Sequence, residues 1–449
     1  MKSRKPVVLA AMALVLALPG WAGAATSTAY VIEAAGAIPP DLASMVTAAG
    51  GTLTRVQGDF GIAEATSQDP NFAANLGANS GIQAVTADPA VQWTPAPSAI
   101  GGTATGSSAS SGAPPNPAAA FFFGCQWNML QINAPGAWAQ GQFGSPAGKV
   151  AVLDTGVDPT HIDLAGRVDT AESTSVLTPG SSPCGPVDET TFLDFFFHGT
   201  FVSSNITSNG LGMASVAPLT QVVAVKVLSC VGSGSFGDVI AGIDYAANLP
   251  DVNVINMSLG AVFDKNHNGR LLGALAKAVN FANGRGKLVV AAAGNNGLDL
   301  NHIGNMTEVP GESGSAIAVY ATAIDQSLAS YSNFGNKTWV GAPGGDLPNP
   351  AGPLPGCPVP PSIQSLVIGA CSSFSLFFAC GGHANYLFGD GTSFATPLVA
   401  GVAALVSGEQ GGGVNPGQLK TTLAQTADNI GPNNRFSKGR VNAGNAVEH

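Results

Sequence analysis

From Cys125 to the C-terminus, short apolar runs alternate with amphipathic stretches. KVAVLDTG, QVVAVKVLS, VNVINMSLG, KLVVAAAGN and AIAVYATAI are apolar along their length rather than at every second position. That pattern predicts strands covered on both faces, as in a parallel sheet. Between them, GDVIAGIDYAANL and LLGALAKAVNFANG space their apolar residues as helices do. The alternation predicts an α/β fold, a doubly wound and mostly parallel sheet with helices on both faces. In such folds reactive groups gather at the carboxyl ends of the strands.

The pattern changes before residue 125. Between Tyr30 and Trp93 the runs AYVIEA, TLTRV, GIAEAT and GIQAVTAD read as strands, with PPDLASMVTAAG and NFAANLGAN as helices. The resulting βαββαβ order is that of a small ferredoxin-like α+β unit. Residues 94–124 are rich in Gly, Ser, Ala and Pro without periodicity and read as an exposed, protease-accessible linker. The start of the chain reads as an export signal: Lys2, Arg4 and Lys5, then apolar Val7 to Leu18, then Ala22-Gly23-Ala24. The expected organisation is a signal peptide over 1–24, a small module over 25–93, a linker over 94–124 and a main domain over 125–449.

Charge and cysteine content narrow the function. Charged residues are 10% of the chain and the formal net charge is −10, which speaks against a nucleic-acid partner. After the N-terminus no apolar run is long enough to span a bilayer, so no membrane association is expected once the signal is removed. Export to an extracellular or periplasmic space makes the six cysteines disulfide candidates. Their wide spacing lacks the paired C-x-x-C of zinc sites. The close trio Cys357, Cys371 and Cys380 is expected to staple one loop region.

Three short stretches carry chemistry. VAVLDTGVD puts Asp154 at the end of a buried strand, FFFHGTFVSS puts His198 ahead of a helix start, and GDGTSFATPLVAGVAALV puts Ser393 where a glycine-rich turn becomes a long apolar helix. Singly, these are a turn former, a surface histidine and an N-cap; together, in that order, they are far more specific. GSGSFG at 232–237 fits G-x-G-x-x-G, but the following strand ends in Ser258 rather than an acidic residue for a ribose, so a nucleotide site is rejected.

The three stretches resemble the signature blocks of the subtilisin-like serine proteases (subtilases), over about Trp127 to His449. The resemblance implies a secreted serine endopeptidase with Asp154, His198 and Ser393 as triad. It also implies Asn295 of VVAAAGNNG as an oxyanion donor, and no cofactor for catalysis. The order Asp, His, Ser contradicts an α/β-hydrolase esterase, and His198 stands where sedolisin-type acid proteases have Glu. By resemblance an extended polypeptide substrate pairs with Gly232, Ser233 and Gly234 on one side and Ser258, Leu259 and Gly260 on the other. Phe236 forms a distal wall, and Ala291, Ala292, Gly294 and Gly311 lie near the primary pocket. Glu312 beside that pocket would favour a basic side chain. Residues 25–93 resemble the family's inhibitory propeptides, which implies self-processing within residues 90–125 and a monomeric product.

Two family positions differ: Phe201 replaces a second His and Phe394 replaces Met. Residues 353–382 read as an insertion. Calcium is common in the family, and Asp163 matches one ligand, although the loop SNGLGM is too short to complete that site. DKNHNG at 264–269 has the first half of an EF-type loop without its closing Glu, and reads as a polar surface loop. No metal ligand is assigned.

Overall fold

The computed structural model describes residues 27–94, 100–107, 114, 116–180, 182–347, 352–378 and 380–449; the expected signal peptide lies outside them. The N-terminal module runs β1 (Thr28–Ala34), α1 (Leu42–Ala48), β2 (Gly51–Gln57), β3 (Ile62–Ser67), α2 (Phe72–Gly77) and β4 (Ile82–Ala87). Its sheet is antiparallel, in the order β2-β3-β1-β4. The period of two in β1 decides what each face does. Tyr30 and Ile32 pack with Leu42, Val46, Phe72 and Leu76 into the module's own core, whereas Val31 joins a core shared with the main domain. Both faces of the sheet are therefore covered.

Two further strands follow. β5 (Val91–Gln92) adds to the main domain, and β6 (Ile100–Thr105) pairs antiparallel with β18 (Asn385–Gly389). Residues 94–124 are thus not a free linker throughout. Within them β6 supplies the edge of a three-stranded sheet with β17 (Val367–Ala370) and β18, and Phe122 is buried against Tyr386 and Phe388. Composition hid this because backbone pairing needs no apolar pattern in the strand that is added.

Short helices α3 (Trp127–Gln131) and α4 (Ala134–Ala139) lead into the main sheet. Its seven strands are β7 (Lys149–Asp154), β8 (Thr174–Ser175), β9 (Val222–Lys226), β11 (Val252–Met257), β13 (Leu288–Ala292), β15 (Ile317–Thr322) and β16 (Val340–Pro343). All pairings are parallel, in the order β16-β15-β13-β11-β7-β9-β8. The five strands expected from the apolar runs form its centre, and the two additions are edge strands. Val150 and Val152 of β7 face the core under α5 (His198–Ile206) and α8 (Thr392–Glu409), while Ala151 and Leu153 face α6 (Phe236–Asn248) and α7 (Lys265–Gly284). The remaining pair, β12 (Ala261–Asp264) with β14 (Met306–Val309), sits beside the cleft; β10 (Ser233–Gly234) is the partner of β5. Among the described residues no helix is long and apolar enough to cross a membrane.

The disulfides are Cys125–Cys357, Cys184–Cys230 and Cys371–Cys380. Of the trio at 357, 371 and 380, Cys371 and Cys380 do staple one loop, but Cys357 is corrected: it reaches Cys125, 232 residues away in sequence. The DKNHNG segment is also corrected. It opens α7, with Asp264 as N-cap accepting from the Asn266 N–H at 2.8 Å and from Asn305 Nδ2 at 2.8 Å. The polar residues belong to the first turns of a helix, not to a loop.

Candidate active site

Asp154 ends β7 and is fully buried. Its carboxylate meets His198 Nδ1 at 2.8 and 3.0 Å through the two oxygens, and Oδ1 also accepts the Thr155 N–H at 2.7 Å. His198 opens α5, which can approach β7 this closely because Gly199 follows it. A Cβ there would overlap the carbonyl oxygen of Gly156 and lie 3.1 Å from Asp154 Cβ. Among the described residues His198 Nε2 has no hydrogen-bond partner. The imidazole ring lies 5.6 Å from the ring of Phe394, the residue after Ser393.

Ser393 is in the first turn of α8, where backbone N–H groups lack helical acceptors. Asn295 follows β13, and its Oδ1 accepts from the N–H and hydroxyl of Thr392, at 2.9 and 2.7 Å. This orients the Nδ2 donor the other way. A Cβ built on Gly391 would stand 3.7 Å from both Asn295 Nδ2 and the Ser393 backbone N. The missing side chain of Gly391 therefore leaves a space flanked by two N–H donors.

Beneath the Asp–His pair lies a buried polar layer that sequence reasoning missed. Lys226 is the register partner of Asp154 on β9. Its ammonium donates to the Thr155 carbonyl at 2.5 Å and pairs with Glu189 at 3.0 Å. Asp194 accepts from the hydroxyls of Thr155 and Thr200, at 2.8 and 2.7 Å. Burial pushes the Lys226 ammonium down and the Asp194 carboxyl up from their ordinary values, with the surrounding partners opposing both. Glu189 also accepts the Cys230 N–H at 2.7 Å, so the loop held by Cys184–Cys230 delivers it to Lys226.

The two expected substrate edges come together around a segment of the chain itself. Gln92 and Val91 pair antiparallel with Ser233 and Gly234. Trp93 and Thr94 donate their N–H groups to the Gly232 carbonyl at 3.2 and 3.3 Å, and Gly260 N–H donates to the Trp93 carbonyl at 3.0 Å. Trp93 is buried against Phe236 and Phe263, with ring centroids 5.2 and 5.7 Å away. Thr94 then borders a cleft of about 360 Å³ lined by Gly260, Ala292, Gly294, Asn295 and Ser393. Ser258 and Leu259 are buried behind that edge, and Ala291 lies inside β13. Gly311 abuts the end of β13: a Cβ on it would be 2.8 Å from the Ala292 carbonyl oxygen.

The subtilase family model matches residues 146–440, which contain every one of these side chains except the docked segment. The chain is a subtilase. It is 32% identical to thermitase of Thermoactinomyces vulgaris over 337 residues, covering 73% of this chain and 98% of thermitase. It is 34% identical to Subtilisin Savinase of Lederbergia lenta, covering 71% and 96%. A crystal structure of the epidermin leader peptide processing serine protease of Staphylococcus aureus superposes with a TM-score of 0.74 at 25% identity, over 94% of this chain and 98% of that one. This subtilase is accordingly a serine endopeptidase of the subtilisin type.

In the subtilase's site the incomplete calcium site at Asp163 gains a geometric reason, and the expectation for Glu312 changes. Asp163 accepts the N–H groups of Leu211, Gly212 and Met213 at 2.6, 3.0 and 3.0 Å and the Tyr386 hydroxyl at 2.7 Å. Four donors on one carboxylate do not fit a calcium ligand. Glu312 is not a free pocket charge either, since it pairs with Lys337 at 2.7 Å and accepts the Glu308 N–H at 2.8 Å. Glu308 itself, overlooked in the sequence, lies nearer the cleft. Period-two alternation in TEVPG would not have revealed it, because the direction of β14 depends on its pairing with β12.

Proposed function

We propose that this subtilase is an exported endopeptidase made as a self-processing precursor, with Asp154, His198 and Ser393 as its triad. The carrying observation is the Asp154–His198 pair beside a serine whose surroundings hold two N–H donors around the space over Gly391. His198 Nε2 takes the Ser393 hydroxyl proton as Oγ attacks the peptide carbonyl. Asp154 holds the Nδ1–H tautomer and stabilises the imidazolium. Asn295 Nδ2 and the Ser393 N–H receive the oxyanion. The imidazolium protonates the leaving amine, and water then hydrolyses the acyl-enzyme by the same route.

Polypeptide substrates bind as an added strand between 232–234 and 258–260, the mode adopted by residues 91–94. Residues 25–93 act as an intramolecular inhibitor and folding aid. The scissile junction follows Thr94 within a few residues, inside the wider span 90–125. The mature enzyme is a secreted or periplasmic monomer that needs no cofactor for catalysis. A Ser393→Ala precursor, exported from a protease-deficient host, should stay full length on a denaturing gel. The parent chain should be cut near residue 94 and label with a fluorophosphonate. Normal maturation of the alanine variant would refute self-processing.

A further inference from the structure

Glu308 stands apart from every other buried acid near the cleft. It lies on β14, opposite Val262 of β12, and is fully buried. Among the described residues neither of its oxygens has a hydrogen-bond partner. A side chain on Gly260 would collide with Oε1, and one on Gly294 would bring its Cβ to 2.7 Å from Oε2. Gly260 is a backbone edge of the peptide-binding strand pair, and Gly294 precedes the oxyanion donor. The carboxylate is thus wedged between the two walls of the substrate cleft, close beneath their surface. Only the absence of side chains at these two glycines leaves it room.

A buried, unpartnered carboxyl is costly: burial pushes Glu308 well above the usual carboxylate range, and the like charge of Glu312 adds to the same upward push. The neighbours that might have satisfied it are used elsewhere. Lys337 pairs with Glu312, and the Asn333 amide donates to the Ala293 carbonyl at 2.8 Å. The docked segment brings no cation, since residues 94–124 contain no Lys, Arg or His at all. The missing partner must therefore arrive on another molecule.

We propose that Glu308 is the primary specificity determinant of this protease, pairing with the Lys or Arg side chain that precedes the scissile bond of a polypeptide substrate. The inference rests on the cleft assignment above. An arginine or lysine entering between Gly260 and Gly294 carries the charge that lets the carboxyl ionise and supplies its absent donors. The junction after Thr94 has no such residue, so the precursor cuts itself against its own preference. High effective concentration substitutes there for pocket affinity, and the released module leaves the primary pocket without its preferred group.

The test is kcat/KM on peptides that differ only in the residue before the cut, Arg, Lys, Gln or Leu, with enzyme matured from the full precursor. The parent should favour Arg and Lys over Leu by about 10²-fold, and Glu308→Gln should erase most of that ratio by losing rate on the basic peptides alone. Fluorophosphonate labelling should be unchanged, which separates this result from failure of the active-site assignment. A parent that prefers Leu or Gln, or a variant that loses rate equally on all four peptides, would overturn the proposal. If Glu308→Gln does not fold, the parent enzyme decides: benzamidinium should compete with substrate and uncharged benzamide should not, and equal inhibition by both would count against it.

Discussion

Lys226 shows how one residue carries a site it never touches. Its ammonium lies between Glu189 and Asp194 and holds the carbonyl of Thr155, the residue whose N–H fixes Asp154. Removing the cation leaves Glu189 and Asp194 buried without it, and breaking a buried pair typically costs about 3–5 kcal/mol. Lys226→Met, read by urea denaturation of a Ser393→Ala background, should lose stability in that range. A loss below about 1 kcal/mol would mean that the ion pair is not what holds the layer together. None of this layer was legible in the sequence. Asp154, His198, Ser393 and Asn295 each sit in a short motif with its own local geometry. Lys226 comes from β9 and Glu189 and Asp194 from the loop before α5, and only strand register and a disulfide bring the two segments together.

Between elements, the two family departures turn out to be one packing unit. Phe201 of α5 and Phe394 of α8 stack with centroids 4.0 Å apart and planes 31° from parallel. Phe201 also fills the space over Gly369 of β17, where a Cβ would strike its ring. Read separately in the sequence they are two unrelated substitutions, because spacing along a chain says nothing about which helices face one another. Phe394 of the pair also faces the His198 imidazole, ring centroids 5.6 Å apart. Phe201→Ala and Phe394→Ala should each cost about 3–5 kcal/mol. The double variant should fall short of the sum by about 0.5–1.5 kcal/mol in a double-mutant cycle. Simple additivity would show that the rings are neighbours without being coupled. The five central strands were readable for the opposite reason: burial on both faces writes an apolar run into each strand, whatever its neighbours. β6 and β14 left no such trace, since their placement depends on a partner strand far away in sequence.

At the scale of the whole molecule, the N-terminal module meets the main domain through acids. Asp88 accepts the Phe236 and Gly237 N–H groups at 2.9 and 2.8 Å, capping α6 across the interface. Glu64 pairs with Arg55, which also reaches Asp238 of α6. Burial outweighs these contacts and pushes Asp88 up to about 6 and Glu64 up to about 7. The docked state thus holds protons that the separated module gives up. Docking is strongest below the ordinary carboxyl range and weakens as pH rises through about 6 to 7. In the Ser393→Ala precursor, hydrogen exchange at the Phe236 and Gly237 amides should accelerate between pH 5 and pH 8 beyond the intrinsic rate change. Asp88→Asn should flatten that dependence. An unchanged protection factor over the range would show that the two acids do not govern docking.

The strand β6 has a consequence for what happens after the cut. Thr94 is held in the cleft and Ile100 on the β18 edge, and the six peptide units joining them reach at most about 20 Å. A break within that span leaves its upstream end bound like a spent product and its downstream end moored to a different sheet. Under the self-processing proposed above, the fresh amine stays leashed within about 20 Å of the cleft, so resealing competes with hydrolysis until β6 peels away from β18.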